Sequence, residues 1–358
     1  MKTVELGALV APAQVQRAGN TDYPVLSMTM HDGLVAQTDR FKKRIASLDT
    51  SDYKVVRRGQ LVVGFPINEG VLDFQLHHDA ALVSPAYGVW NLRDESLADR
   101  AYLKRFLKSP RAIEYYVGKM KGSTARRRSL PPAEFNAMPI PLPPLTEQRR
   151  IAAILDHADA LRTTRRQVLT KLDALTQSIF HDMFSRTAQL DSAPLKDLIK
   201  WKSGKFLPAK EQHGGVYPVY GGNGVNGWHD EYTYEEPRLV VGRVGAYCGA
   251  VHITQPHAWV TDNALIATLL RDDLTLGYLL PALTLANLNQ YAGVSGQPSI
   301  SAGKIGGVRL PVPAVDLQHE FAGRVQRIDS QRGAVQRANT AADALFASLQ
   351  SCAFQGEL

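Results

Sequence analysis

The densest cationic stretch in the chain runs from Lys119 to Arg128 (KMKGSTARRR). Glycine and serine in a loop present backbone donors, and adjacent guanidinium groups form planar forks. Lys119, Lys121, Ser123, Arg126, Arg127 and Arg128 are therefore candidate ligands for phosphates and, less directly, for guanine edges. The plain alternative is a solvated charged turn. A second stretch, residues 217–228 (YPVYGGNGVNGW), contains a formal GxGxxG at Gly222, Gly224 and Gly227. A dinucleotide site would need a helix straight after it, whereas the next residues, Trp228 to Pro237, are strand-like aromatics ending in proline. A glycine-rich hairpin is expected instead, with Asn223 and Asn226 tolerating positive φ and offering amides outward. Arg243, in the turn Gly242 to Gly245, and Gln297 and Ser299, in the loop Gly293 to Ser299, complete the set of candidate base and phosphate contacts.

Catalytic signatures do not accompany these residues. The chain has no Asn/Asp-Pro-Pro-aromatic methyltransferase motif, Walker loop, zincin helix or nucleophile elbow. Its ten histidines are scattered; His77-His78-Asp79 and His252 with His257 are the local groupings, and without further ligands no metal site is expected at either. Cys248 and Cys352 form no disulfide framework, which fits a reducing compartment. No signal peptide is visible and no apolar run approaches the ~18 residues needed to span a bilayer, so a cytoplasmic protein is expected. A formal charge of +7 points weakly toward a polyanionic partner.

The elements that must position these loops are organised around residues 141–184. Pro141, Pro143 and Pro144 end the preceding segment. A helix capped by Thr146 is expected next, with a seam at Ile151, Ile154, Ala158, Leu161, Arg165, Val168, Leu172, Leu175 and Ile179. This seven-residue repeat is a coiled-coil pattern, and its 28 steps reach roughly 42 Å. A weaker copy lies 170 residues on: Ile140-Pro141-Leu142-Pro143 matches Leu310-Pro311-Val312-Pro313, Gln148 matches Gln318, and Phe184 matches Phe354. Its seam is Phe321, Arg324, Ile328, Gln331, Val335, Ala338, Ala342, Leu345 and Leu349. Upstream, Ser129-Leu130 matches Ser299-Ile300. Helix periodicity does not require the shared proline lead-in, so the chain reads as two domain-sized repeats. Antiparallel pairing of the helices needs no long return linker.

Within the first half, strands are expected at Pro24 to Met30, Lys54 to Phe65 and Ala80 to Leu92, and helix from Leu97 to Val117, broken at Ser109-Pro110. In the second, a short helix at Leu195 to Ile199 echoes Leu6 to Val10. Leu239 to Val251 reads as two strands around the turn at Gly242 to Gly245, and Leu274 to Leu288 as a helix. The loop at Gly293 to Ser299 stands where the arginine loop stands in the first half.

The lead-in Leu142-Pro143-Pro144-Leu145-Thr146-Glu147-Gln148 running into Ile151 resembles the start of a conserved region in specificity (S) subunits of type I restriction-modification systems. Residues 220–227, 242–245, 259–263 and 296–300 are similar to segments of their target-recognition domains. The second half departs from the pattern where Pro313-Ala314-Val315-Asp316-Leu317-Gln318 replaces Pro-Pro-Leu-x-Glu-Gln. The resemblance implies an α+β fold, two mixed α/β target-recognition domains separated by a long antiparallel two-helix coiled coil, with a pseudo-twofold internal repeat. The expected divisions are residues 1–143 and 186–313 for the recognition domains, and 144–185 and 314–358 for the conserved helices. It further implies a non-catalytic subunit without its own cofactor, whose partners are double-stranded DNA, two methyltransferase (M) subunits and, through the assembled complex, restriction (R) subunits. A rod of ~42 Å compares with 34 to 36 Å for one turn of B-DNA, so it could serve as a ruler between half-sites. The alternative is a coiled-coil interaction scaffold with two protein-binding heads, distinguished by its failure to bind DNA or heparin at low salt. A nucleotide-binding enzyme ranks third, and a nucleotide-dependent thermal shift would mark it.

Overall fold

The proline lead-ins are strands that close each half of the chain onto its own beginning. Thr3–Glu5 pairs antiparallel with Pro139–Pro141, and Ser192–Pro194 pairs in the same way with Arg309–Pro311. The computed structural model describes residues 2–30, 32–37, 49–121, 129–184, 191–212, 214–293 and 296–358. It forms two compact units, one of residues 1–164 with 339–358 and one of residues 165–338. The first long helix, Leu145–Phe184, and the second, Val315–Gln355, each contribute to both units. Thr146 lies inside the first turn of its helix, which begins one residue earlier, so it is not the expected cap.

In the first unit a four-stranded antiparallel sheet has the order Val10–Pro12, Gly88–Leu92, Leu61–Val63, Leu72–Phe74. The second unit repeats that order with Ile199–Ser203, Ala264–Leu269, Leu239–Gly242 and Val251–Ile253. The strand after the glycine turn thus begins only at Val251, because residues 243–250 form a longer loop than the glycine spacing suggests. Smaller pairs complete the first unit, Leu26–Thr29 with Gly33–Ala36 and Lys54–Arg57 with Ala80–Val83.

Helices cover each sheet. Arg100–Leu107 and Pro110–Lys119 break at Ser109, whose hydroxyl accepts from the Ala112 amide and caps the second helix, with proline at its first turn. In the second unit Leu276–Leu285 is capped by Thr275. The two helices are tied to the lead-ins alike: Tyr102 Oη donates to the Pro141 carbonyl and Tyr278 Oη to that of Pro311, each at 2.6 Å. Burial pushes both phenols well above their usual range, so they stay protonated donors.

Gln148 and Gln318, matched by the repeat, are both fully buried. Gln148 Nε2 donates to the carbonyls of Leu97 and Pro143 while Oε1 accepts from the Asp99 amide. Gln318 Nε2 donates to those of Asp273 and Pro313 while Oε1 accepts from the Thr275 amide. Since Asp99 and Thr275 are the N-caps of the covering helices, each glutamine fixes the start of a long helix to the start of a shorter one.

The long helices pack in opposite directions within each unit. In the first, Ile151, Ala152 and Leu155 share a core with Ala353 and Phe354. Arg162 donates to Asp343 at 2.6 Å and lies 4.3 Å from the Phe346 ring centre. In the second, Phe180 and Phe184 pack on Phe321, and Arg332 pairs with Asp173 at 2.9 Å. Of the twelve large apolar seam residues expected, eight face inward. Ile151, Leu172, Ile179, Phe321, Ile328, Val335 and Leu349 are buried or half-buried, and Ile154 is half-buried. Leu161, Val168, Leu175 and Leu345 are instead exposed, the last by 60%. The inward positions are one residue further on, at Leu155, Arg162, Leu169 and Thr176, and at Val325, Arg332, Asn339 and Phe346. Half of these inward positions are polar, Arg162, Thr176, Arg332 and Asn339, so apolar spacing does not point to them. Arg162 and Arg332 face inward with their ion pairs to Asp343 and Asp173.

Candidate functional site

The glycine-rich stretch folds as a hairpin, Tyr217–Gly221 pairing with Gly224–His229 across Gly222 and Asn223. The formal GxGxxG leads into a strand, so it lacks the helix N-terminus that a dinucleotide pyrophosphate needs. Around this hairpin the second unit gathers its candidate residues. Gly242 has to be glycine, because a side chain there would begin 2.5 Å from the Gly222 carbonyl oxygen and 2.3 Å from that of Tyr247. This close approach brings the hairpin turn against residues 242–247. The Arg243 amide donates to the Asn263 carbonyl and Nη1 to Ser203 Oγ at 3.1 Å. The Gly245 amide donates to the Pro298 carbonyl, the Ile300 amide donates to that of Arg243, and Val244 bridges Ser299. The Gln297 amide nitrogen lies 3.2 Å from where a side chain on Gly245 would begin.

Arg243, Gln297 and Ser299 thus share one surface with the hairpin turn that carries Asn223. Asn223, Asn226 and Gln297 are exposed, and Arg243 and Ser299 are half-buried. Asn226 leans across the hairpin, its amide nitrogen 2.0 Å from where a Gly221 side chain would begin. The hydroxyl of Thr261, buried beside Gly221, has no partner among the described residues. His252 packs on Gly224 through its ring, and burial holds its pKa below the usual imidazole range.

A basic edge continues this surface beyond the residues that sequence patterns single out. The Lys202 ammonium sits 5.3 Å from the Tyr234 ring centre and that of Lys205 4.8 Å from Trp259. The Lys205 amide donates to the Val260 carbonyl, keeping this segment against the strand beside the hairpin. A signal for it exists in the sequence: lysines at 200, 202 and 205 flank Trp201 and Gly204.

In the first unit Lys119 and Lys121 are exposed and share Glu134, at 3.4 and 3.9 Å. Ser123, Arg126, Arg127 and Arg128 lie outside the described residues. Lys121 and Ser129, which flank them in sequence, form an antiparallel bridge, and the counterpart in the second unit is the bridge Gly293–Ser299. The two stretches are therefore bounded by equivalent bridges. Among the described residues no group of three His, Cys, Asp or Glu side chains is placed to hold a metal ion, and no helix is long and apolar enough to cross a membrane.

Two copies of one sheet, each locked by a buried tyrosine and glutamine and each carrying unlike sequences at like positions, define an internally duplicated α+β protein. Residues 190–339 match the family model of the type I restriction modification DNA specificity domain. The chain is 29% identical over 141 residues to the type I restriction enzyme EcoprrI specificity subunit of Escherichia coli, covering 38% of this chain and 35% of that protein. The match thus spans about a third of the relative's length. The type I restriction-modification S subunit of M. genitalium superposes with a TM-score of 0.62 at 16% identity, over 99% of this chain and 96% of that one. A second solved structure, described as concerning complex assembly and conformational transition of the type I R-M system, gives 0.56 at 16% identity, over 100% and 98% of the two chains. At such identity these two likenesses are of fold.

Proposed function

We propose that this chain is the non-catalytic DNA-recognition subunit of a type I restriction-modification complex. Each unit reads one part of a bipartite double-stranded target, and the long helices carry two methyltransferase subunits, through which restriction subunits join. The observation that carries the reading is the gathering of Arg243, Gln297, Ser299 and the Asn223 turn on one surface of a type I specificity domain. Arginine and glutamine suit guanine and adenine edges, while lysines 202 and 205 suit phosphates. The bridges Lys121–Ser129 and Gly293–Ser299 support a second reader of the same plan but different chemistry in the first unit.

Docking on the long helices is supported by Leu161 and Leu345 in one unit and Val168 and Leu175 in the other, apolar side chains that their own units leave exposed. A methyltransferase subunit covering them would bury this surface. The chain's own contribution is positional; S-adenosylmethionine would belong to the methyltransferase and ATP with Mg²⁺ to the restriction subunit.

The test is footprinting of the purified chain with its methyltransferase partner. Two protected segments separated by an unread gap are expected, together with adenine methylation that disappears from the host genome when this chain is deleted. A complex retained equally on every duplex, with no salt-resistant preference, would leave the interaction-scaffold reading standing instead.

A further inference from the structure

The loop joining the central strand to the edge strand is the same structural feature in both units, and in each it exposes one large aromatic ring. In the first unit the Gly64 amide donates to the Val71 carbonyl, and in the second the Gly242 amide donates to that of Ala250, both at 2.8 Å. Each loop ends on a left-handed glycine just before the edge strand, Gly70 at φ +69° and Gly249 at φ +88°. Between these fixed ends stand Phe65 and Tyr247, each 54% exposed. By contrast Trp90, Tyr102, Phe106, Tyr116 and Phe135 are buried in the first unit's core. Phe206 and Trp228 are exposed too, but neither lies on a loop whose two ends recur in the other unit.

We infer that Phe65 and Tyr247 are base-contacting, specificity-determining side chains, one for each half of the target. The assignment rests on the DNA reading given above and deepens it. Tyr247 belongs to the segment held against the hairpin turn, beside Arg243. Phe65 occupies the position that follows the loop's first glycine, where the second unit carries Arg243. A benzyl group has no donor or acceptor, so among base edges in the major groove its partner is the 5-methyl group of thymine. The phenol of Tyr247 adds a hydroxyl that can donate or accept. Equivalent loops carrying unlike side chains would let one frame read two different half-sites.

The test is selection from a random duplex pool by the full chain assembled with its methyltransferase partner. Phe65→Ala should make positions in one half-site degenerate and leave the other unchanged, while Tyr247→Ala should do the reverse. Within the selected target, replacing thymine by deoxyuridine in the half-site sensitive to Phe65 removes only methyl groups. It should weaken wild-type binding several-fold and leave Phe65→Ala indifferent. Phe65→Arg should shift the enriched base at that position to guanine. Since both rings are half-exposed, the alanine variants should melt with the wild type. Unchanged motifs in either alanine variant, loss in both half-sites together, or equal sensitivity of wild type and Phe65→Ala to deoxyuridine overturns the assignment. A wild-type pool that enriches nothing overturns the DNA reading and this assignment with it.

Discussion

The Phe354 ring meets that of Phe106 edge to face, with centroids 5.0 Å apart and planes at 89°. It also meets Tyr102 at 5.7 Å, so the end of the second long helix is a core element of the first unit. Phe184 has the matching role in the second unit, against Tyr278 and Phe321. Truncating such a ring removes its transfer energy and leaves a cavity, a loss of about 3–5 kcal/mol. Phe354→Ala should therefore destabilise the first unit selectively, and Phe184→Ala the second. Urea titrations followed through Trp90 for the first unit and Trp259 for the second, in variants retaining one tryptophan, separate the two effects. Equal loss at both tryptophans from either substitution would contradict the assignment of each ring to one core.

The buried glutamines give a second pair of outcomes. Gln148→Ala strands the Asp99 amide and two carbonyls, and Gln318→Ala strands the Thr275 amide and two others. Each group left bare costs about 1–3 kcal/mol, so either substitution should lower the denaturation midpoint as much as a core truncation. Replacement by glutamate should be worse at neutral pH than at pH 4, because a carboxylate there would face two carbonyl oxygens. A midpoint independent of pH in Gln148→Glu would show that water reaches the site.

Much of this frame is legible in the sequence, because the same text occurs twice. Gln148 with Gln318 and Phe184 with Phe354 stand at one offset, and all four are buried. Tyr102 and Tyr278 are hidden from such a comparison because their spacing is 176 residues, six more than the offset downstream: the intervening loops differ in length. The long helices are clear from periodicity, but the seam is not, since the stripe of Leu161 is the more apolar in sequence while that of Leu155, with Arg162 and Thr176, faces inward. Asn226 lies in the strand Gly224–His229, and neither it nor Asn223 takes the expected positive φ. Asn223, Arg243 and Gln297 are readable as loop residues with recognition chemistry. Their convergence is not, because it depends on how closely Gly222 and Gly242 approach. Phe65 looks like one more strand residue in the run LVVGFP until its exposure is seen.

His252 sets a pH dependence on the second unit. Burial lowers its folded-state pKa, and Nε2 has no hydrogen-bond partner among the described residues. The unfolded chain therefore binds the proton more readily, and stability falls as pH drops below the unfolded value of about 6.5 toward the folded one. Above that value the ring is neutral in both states and the effect vanishes. The wild type should lose more melting temperature than His252→Gln between pH 7.5 and 5.5, and parallel losses would remove the imidazole from the explanation.

The arginine loop makes an electrostatic prediction. Arg126, Arg127 and Arg128 lie in sequence between Lys121 and Ser129, whose bridge is the counterpart of the Gly293–Ser299 bridge in the second unit. If they neutralise phosphates, replacing all three by alanine should weaken binding at every sequence and flatten the plot of log affinity against log salt by about 0.9 for each phosphate no longer neutralised. Lower affinity with an unchanged slope would reduce this loop to a solvated turn.

The spacer should answer to the length of the long helices. Deleting residues 158–164 together with 328–334 removes one heptad from each helix, so every remaining seam residue keeps its inward phase. Seven residues correspond to about 10.5 Å of rise, or roughly three base-pair steps of 3.4 Å. The deletions also remove the ion pairs of Arg162 and Arg332, so Asp343→Ala and Asp173→Ala serve as full-length controls. If these helices measure the gap between half-sites, the shortened chain should select both half-sites unchanged, with a spacer about three base pairs shorter. The aspartate variants should keep the original spacer. An unaltered spacer in a folded, shortened protein would show that something other than helix length sets the separation.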